Sequence, residues 1–264
     1  MKVLVIGDPH GFYQYDKSIL RNADIIFVTG DIGKADLARK LAFRKIERKR
    51  EGLSEIKETP KEIRDSSFQI YNSSIRLARS LSKFAPTYSI LGNVWPNDSF
   101  VKKQEQKYKV KLPRTILDMK KIPNFYPIKN SFRNINGLRV GFLEYFVDNS
   151  WIKEFNESDK RRITIAKKET ERAKKILKSF KKLDILLCHQ PPYGILDKVS
   201  FKGAPKSWIG KHAGSKVILD YIKKEKPRYV FCGHIHEAKG KRKIGGTWIY
   251  NIGAMGDYLF LEIK

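Results

Sequence analysis

The sequence predicts an α/β (α+β) fold in which two β-sheets pack together with helices outside. Two features predict it. Five short runs, residues 3–6, 24–28, 87–91, 184–188 and 229–232, are apolar without alternation, the texture of strands covered on both faces. Early in the chain these runs alternate with stretches of helical periodicity, and after Thr115 the texture changes to short strands, which calls for two sheets. Residues 1–264 form one domain on this reading, a length that α/β domains reach. No repeat, low-complexity segment or linker divides them.

Residues 3–6 open the chain as a run of β type, ended by Gly7, Asp8, Pro9, His10 and Gly11. Residues 24–28 form a second, ended by Thr29, Gly30, Asp31, Ile32 and Gly33. Between them, 15–21 reads as a short helix. Residues 34–50 and 62–84 read as longer helices, parted by a polar stretch with Gly52 and Pro60; Ile70, Ile75, Leu77, Ala78 and Leu81 recur at helical spacing. The third buried run, 87–91, ends in Gly92, Asn93, Val94, Trp95 and Pro96, and 100–110 has a helical pattern. Asn136 and Gly137 are a two-residue hairpin signal between strands Ser131–Ile135 and Leu138–Leu143. Residues 159–182 make a long basic helix. The run 184–188 ends in His189, Gln190, Pro191 and Pro192. A loop rich in Gly, Pro and aromatics leads to a helix over 214–224, with His212, Ala213, Gly214 and Ser215 as its cap. The last buried run ends in Gly233, His234, Ile235, His236 and Glu237, and strands over 247–252 and 258–263 close the chain.

The net charge of +26 has two readings. Clustered Lys and Arg would bind a nucleic acid through its phosphates; alternatively they form a solvated, lysine-rich surface. Basic residues fall mostly on helical stretches among acids, as in 39–51 and 160–182, and no RNA-binding aromatic motif accompanies them. No apolar run is long enough to cross a bilayer, so no membrane partner is expected. The opening apolar run is too short for a signal peptide and leads into Asp8. A cytoplasmic location follows as an expectation. Cys188 and Cys232 each close an apolar run and read as small hydrophobes in buried strands, with no disulfide framework.

The ends of the five runs carry Asp8 and His10, Asp31, Asn93, His189, and His234 with His236. In open α/β sheets ligands bind beyond the carboxyl ends of strands, so these side chains should converge. They supply two carboxylates, one amide and four of the chain's 5 histidines. A single transition ion takes roughly four to six ligands, so this set with positions left for water implies two. Mixed nitrogen and oxygen donors suit Mn, Fe, Zn, Co or Ni.

The ordered motifs Asp8-x-His10, Gly30-Asp31, Gly92-Asn93, His189-x-Pro191-Pro192 and Gly233-His234-x-His236 resemble those of the calcineurin-like metallophosphoesterase superfamily. The likeness covers the chain from Asp8 to His236. The stretch from His189 through His236 to Asn251, Ile252 and Gly253 is similar to a small archaeal-type branch related to the class III phosphodiesterases. The resemblance implies a four-layer αββα sandwich of two mixed sheets flanked by helices. It implies that Asp8, His10, Asp31 and His236 hold one divalent ion, and Asp31, Asn93, His189 and His234 a second, with Asp31 as the bridge. The implied reaction is hydrolysis of a phosphodiester or nucleotide-type phosphate ester by in-line attack of a metal-bridged hydroxide. Asn93 would also touch a phosphate oxygen, and the substrate would be a small phosphate ester.

One position departs from the pattern. In many members a histidine follows the Gly-Asn pair and serves as general acid; here Val94 stands there and cannot transfer a proton. His212, the remaining histidine, is either a replacement donor or a capping residue. Tyr193, Trp208 and Trp95 either line the pocket or simply pack. Glu237 either orients a histidine or faces solvent, and Asn251 with Gly253 resembles the family's structural closing turn. Two rival readings stand beside the phosphoesterase: a nuclease or RNA-processing phosphodiesterase, suggested by the charge, and a metal-bound scaffold of weak activity, suggested by Val94.

Overall fold

The computed structural model describes residues 1–54, 56–94, 98–155 and 159–263. Five strands form one sheet in the order β11-β1-β2-β3-β4: β1 (Lys2–Ile6), β2 (Ile25–Val28), β3 (Thr87–Ser89), β4 (Phe125–Pro127) and β11 (Tyr258–Glu262). Six form the other in the order β5-β6-β7-β8-β10-β9: β5 (Ser131–Ile135), β6 (Leu138–Leu143), β7 (Ile185–Cys188), β8 (Tyr229–Cys232), β9 (Gly240–Ile244) and β10 (Thr247–Asn251). Both sheets are mixed. β1 pairs parallel with β2 but antiparallel with β11, and β10 pairs parallel with β8 but antiparallel with β9.

The alternation of side chains along a strand sorts the core into layers. Val3 and Val5 of β1, with Ile25 and Phe27 of β2, point between the sheets and meet Phe142, Ile185, Leu187 and Phe231 of the other sheet. Their neighbours Leu4, Ile6, Ile26 and Val28 point outward, onto Leu77, Ala78 and Leu81 of α3 (Pro60–Leu81). On the far side Leu186, Cys188, Val230 and Cys232 pack on α7 (Lys160–Ser179) and α8 (Lys216–Glu225) through Leu177, Ile218 and Ile222. Strands buried on both faces must be apolar at every position, which is why these runs carry no alternation. The result is the expected four-layer sandwich. Both cysteines are buried and free.

Helix boundaries follow local chemistry. The Thr59 side chain accepts from the Glu62 amide while Glu62 reaches back to the Thr59 amide, a capping box that starts α3 earlier than the apolar pattern suggested. Ser215 accepts from the Ile218 amide and starts α8. The remaining α-helices among the described residues are α1 (Lys17–Arg21), α2 (Asp36–Arg50), α4 (Asp98–Tyr108), α5 (Thr115–Met119) and α6 (Asn149–Glu154). The expectation of short strands from Thr115 onward is corrected at its start, because 115–119 is a single helical turn packed by Ile116 and Met119. Strand β9, Gly-Lys-Arg-Lys-Ile, was not foreseen; it lies on a sheet edge, where charged side chains guard the open backbone and erase the apolar signal.

Candidate metal centre

The carboxyl ends of β1, β2, β3, β7 and β8 bring all seven strand-end residues together. Their loops are under local constraint. His10, Asp31 and His234 sit at φ of 46°, 37° and 67°, in the left-handed region, which costs an ordinary residue of the order of 1 kcal/mol or more. Such strain persists only where surrounding structure imposes it. Two glycines make the close approach feasible. A Cβ at Gly92 would meet the Asp31 carboxylate, and one at Gly233 would meet that of Asp8.

Asp8 is fully buried. Its Oδ1 accepts from the Thr29 hydroxyl at 2.6 Å and its Oδ2 from the His234 amide at 2.6 Å. The His236 Nε2 lies 3.3 Å from the same Oδ2, and His10 Nε2 lies 3.3 Å from His236 Nε2. Burial pushes the Asp8 carboxyl up, but His189, His236 and the Thr29 hydroxyl outweigh it and hold the group well below the usual carboxylate range. The His236 ring is depressed by burial, yet its contact with Asp8 prevails and raises it. His10 is lowered, burial outweighing Asp31 and Asp8.

On the other side, Asn93 Oδ1 is 2.8 Å from His189 Nε2 and 3.0 Å from His234 Nδ1. The remaining nitrogen of His189, Nδ1, lies 3.0 Å from the Thr29 carbonyl oxygen. That carbonyl can only accept, so His189 carries its proton on Nδ1 and turns a lone pair on Nε2 toward Asn93. Burial, with the neighbouring His189, depresses His234 to about 3. Asp31 joins the two sides. Its Oδ1 accepts from the Val94 amide at 2.9 Å, while its Oδ2 lies 3.8 Å from His189 Nε2 and 4.0 Å from His10 Nε2.

These atoms meet the test of a cation site. With the single ring proton on Nδ1, His189 Nε2 and Asn93 Oδ1 face each other as lone pairs, and Asp31 Oδ2 faces the same space. His10 Nδ1 is buried without a hydrogen-bond partner among the described residues. Lone pairs crowded together around the fully buried Asp8 and His189 are favourable only around positive charge. Asp8 with His10 and His236, and Asp8 with Asp31 and His189, each form a group able to hold a metal ion.

A family model of calcineurin-like phosphoesterases matches residues 1–238. The chain belongs to the calcineurin-like phosphoesterase family. Its members are, in general, dinuclear metal-dependent phosphoester hydrolases, and the two clusters of this phosphoesterase fit that chemistry. A search of curated proteins found no match. Among solved structures, one crystal structure is 20% identical with a TM-score of 0.62, over 98% of this chain and 94% of that one. TT1561 of Thermus thermophilus is 14% identical with a TM-score of 0.43, covering 97% of this phosphoesterase and 90% of that chain. GAP50, the anchor in the inner membrane complex of Plasmodium, is 14% identical with a TM-score of 0.44, covering 96% and 71%. The first of these likenesses supports the two-sheet fold.

Other expected site residues of the phosphoesterase lie elsewhere. His212 is outside the cavity at the cluster; its Nδ1 meets the buried carboxylate of Asp197 at 2.8 Å, which also accepts from the Gly194 and Gly214 amides. Tyr193 does not line the cavity either, its hydroxyl bonding Glu154 at 3.1 Å. Trp208 packs against Phe155 and Trp151. Trp95 lies outside the described residues. Glu237 points away from the histidines and accepts from the Ser200 and Phe201 amides at 3.0 Å each. Asn251 is structural as expected, donating to the carbonyls of Ile235 and Leu196 and accepting from the Gly253 amide.

Two contributors escaped the sequence reading. Thr29 serves both sides at once, its hydroxyl fixing Asp8 and its carbonyl fixing His189. Its place beside Gly30-Asp31 was the only hint. Tyr145 walls the site, its ring centroid 5.8 Å from that of His189 and 5.4 Å from that of His234. A cavity of about 850 Å³ opens from His10, Asp31, Asn93 and the two later histidines toward helices α2, α3 and α4.

Proposed function

We propose that the chain is a dinuclear metal-dependent phosphoesterase acting on a phosphodiester in preference to a monoester. The observation that carries it is the meeting of two donor clusters at Asp31 Oδ2, with Asp8, His10 and His236 on one side and Asn93, His189 and His234 on the other. Two divalent ions bound there would supply the positive charge that acidifies a water and draws electrons from a phosphoryl group. The chain's own part is orientation. The Thr29 carbonyl keeps the His189 proton on Nδ1, its hydroxyl turns the Asp8 carboxylate, and the Val94 amide turns that of Asp31.

Val94 lines the cavity beside Asn93 and offers only its backbone. General acid help is typically worth about 10²–10⁴ in rate, so esters with acidic leaving groups are the favoured substrates. The test is hydrolysis of an aryl phosphodiester and the matching monoester by manganese-loaded protein. Diester turnover exceeding monoester turnover supports the reading; the reverse order, or equal turnover in Asp31→Asn, contradicts it.

A nucleic-acid substrate is a second reading, favoured by one feature. A groove beside α1 and α3 is lined by Lys17, Arg21, Arg76, Arg79 and Lys83 with Tyr13, Tyr71 and Phe84, and no carboxylate appears among its described lining residues. Backbone phosphates and stacked bases suit such a surface. Binding of single-stranded DNA or RNA that falls steeply with added salt would favour it, and no binding at low salt would remove it.

A further inference from the structure

The cavity over the metal centre is mostly not made of metal-site residues. Three helices each turn one face into it: Ala38, Leu41 and Ala42 from α2, Ile63 and Ile70 from α3, and Phe100 from α4. Ala35 and Val94 extend this apolar surface toward the histidines. Leu41 and Ala42 follow Ala38 by three and four residues, and Ile70 follows Ile63 by seven, so each set shares one helix face. From Ala35, just before α2, to Lys45 the lining spans ten residue steps, about 15 Å along a helix, so the space is long as well as wide. Its two ends differ from its middle. Arg39 lies at the metal end. At the far end Lys45 is ion-paired with Glu58, which accepts the Tyr108 hydroxyl at 2.6 Å.

The middle offers few polar partners. Ser66 and Ser67 of α3 and Gln104 of α4 line it, with Lys107 one turn further along α4, and the Ser66 hydroxyl is already given to the Ile63 carbonyl at 3.0 Å. A nucleoside placed there would find only Ser67 and Gln104 in the middle for its ribose hydroxyls and base edges, a poor match for so many polar groups. A hydrocarbon chain makes no hydrogen-bond demand of its own and would cover only Ser67 and Gln104 of the polar lining in the middle. Just beyond the Lys45–Glu58 end, in the α2–α3 connection, Leu53 and Ile56 are 49% and 39% exposed, an apolar tip suited to a lipid-like surface.

We propose that the substrate is an amphiphilic phosphoester, its phosphate at the metal centre with Arg39 and its alkyl chain between α2, α3 and α4. This rests on the phosphoesterase reading for the head and on the helical chamber for the tail. The helical stretch between β2 and β3 is thus the specificity element of the enzyme.

The experiment is calorimetric titration of manganese-loaded protein with n-alkylphosphonates of two to ten carbons, each below its aggregation concentration. Burial of a CH₂ is worth about 0.8 kcal/mol, roughly fourfold in affinity, so the dissociation constant should fall about fourfold per added CH₂ until the chamber is filled. Ala42→Trp, which fills the middle, should abolish most of that gain, and Ala38→Leu should reduce it. An affinity independent of chain length overturns the proposal. So does a gain that survives both substitutions, or a nucleoside monophosphate that binds more tightly than decylphosphonate. Hydrolysis of a methyl aryl phosphodiester, measured in parallel, probes the metal centre alone. Loss of that turnover with the chain-length gain intact would remove the phosphoesterase reading and leave the tail site standing.

Discussion

Thr29→Val is the sharpest test of how the chain holds its donors. Valine keeps the shape of threonine and removes only the hydroxyl, so no cavity is created. The lost bond is to a fully buried carboxylate that is ionised at neutral pH. Hydrogen bonds to charged groups contribute about 1.5–3 kcal/mol, so metal-free Thr29→Val should unfold about 2 kcal/mol more easily at pH 7. For a chain of this length that lowers the Tm by about 4–8 °C. The pH dependence follows from the direction of the shift. The folded Asp8 carboxyl is held below its unfolded value of 3.8, so its stabilisation is complete above that value and fades as pH falls through the folded one. The difference between wild type and Thr29→Val should therefore be full above about pH 5 and shrink below pH 3.8. Metal affinity should fall about 10–100-fold, as for other partners that orient ligands, and Thr29→Ser should recover both. Urea unfolding of chelator-treated protein across pH, with metal titration, reads these quantities. A difference below about 0.5 kcal/mol at pH 7, or one that grows toward acid, would refute the assigned role.

Four further outcomes are expected. Val94→His should raise kcat/KM for a diester with a poor alcohol leaving group by at least about tenfold and change aryl diester turnover little, because general acid help matters most there; equal gains on both would argue against a missing acid. Gly233→Ala should drive the Asp8 carboxylate from its place and lower metal affinity and turnover about 10–100-fold, read by metal titration and an aryl diester assay. His212→Ala should keep turnover within about threefold on every ester, because His212 is committed to Asp197; a loss near the 10²-fold of general acid help would reinstate it as a proton donor. Asn251→Ala should cost about 1–3 kcal/mol by leaving the Ile235 and Leu196 carbonyls short of a donor, read as a lowered urea midpoint.

The two-sheet sandwich was legible because buried strands leave an unmistakable run such as Val3-Leu4-Val5-Ile6. The seven strand-end residues were legible for a topological reason, since strands that run parallel present the same ends to one place. Roles that depend on who stands opposite were not legible. Glu237 neighbours the histidines in sequence but reaches the 200–201 backbone instead, and His212 caps a loop through Asp197 because the fold brings that carboxylate beneath it. Thr29 acts through its carbonyl as much as its hydroxyl, and no residue type announces a carbonyl. The chamber was hidden in a stretch that reads as ordinary amphipathic helix. Ala38, Leu41 and Ile63 look like core positions until the structure shows a cavity where the core would be.

The central claim is that these seven side chains hold two ions, and the metal content of the protein tests it most directly. After loading with manganese and removal of excess metal, elemental analysis should find about two ions per chain, and one or fewer in Asp31→Asn, whose Oδ2 faces both clusters. One ion or none in the wild-type protein, or two retained by Asp31→Asn, would contradict the account.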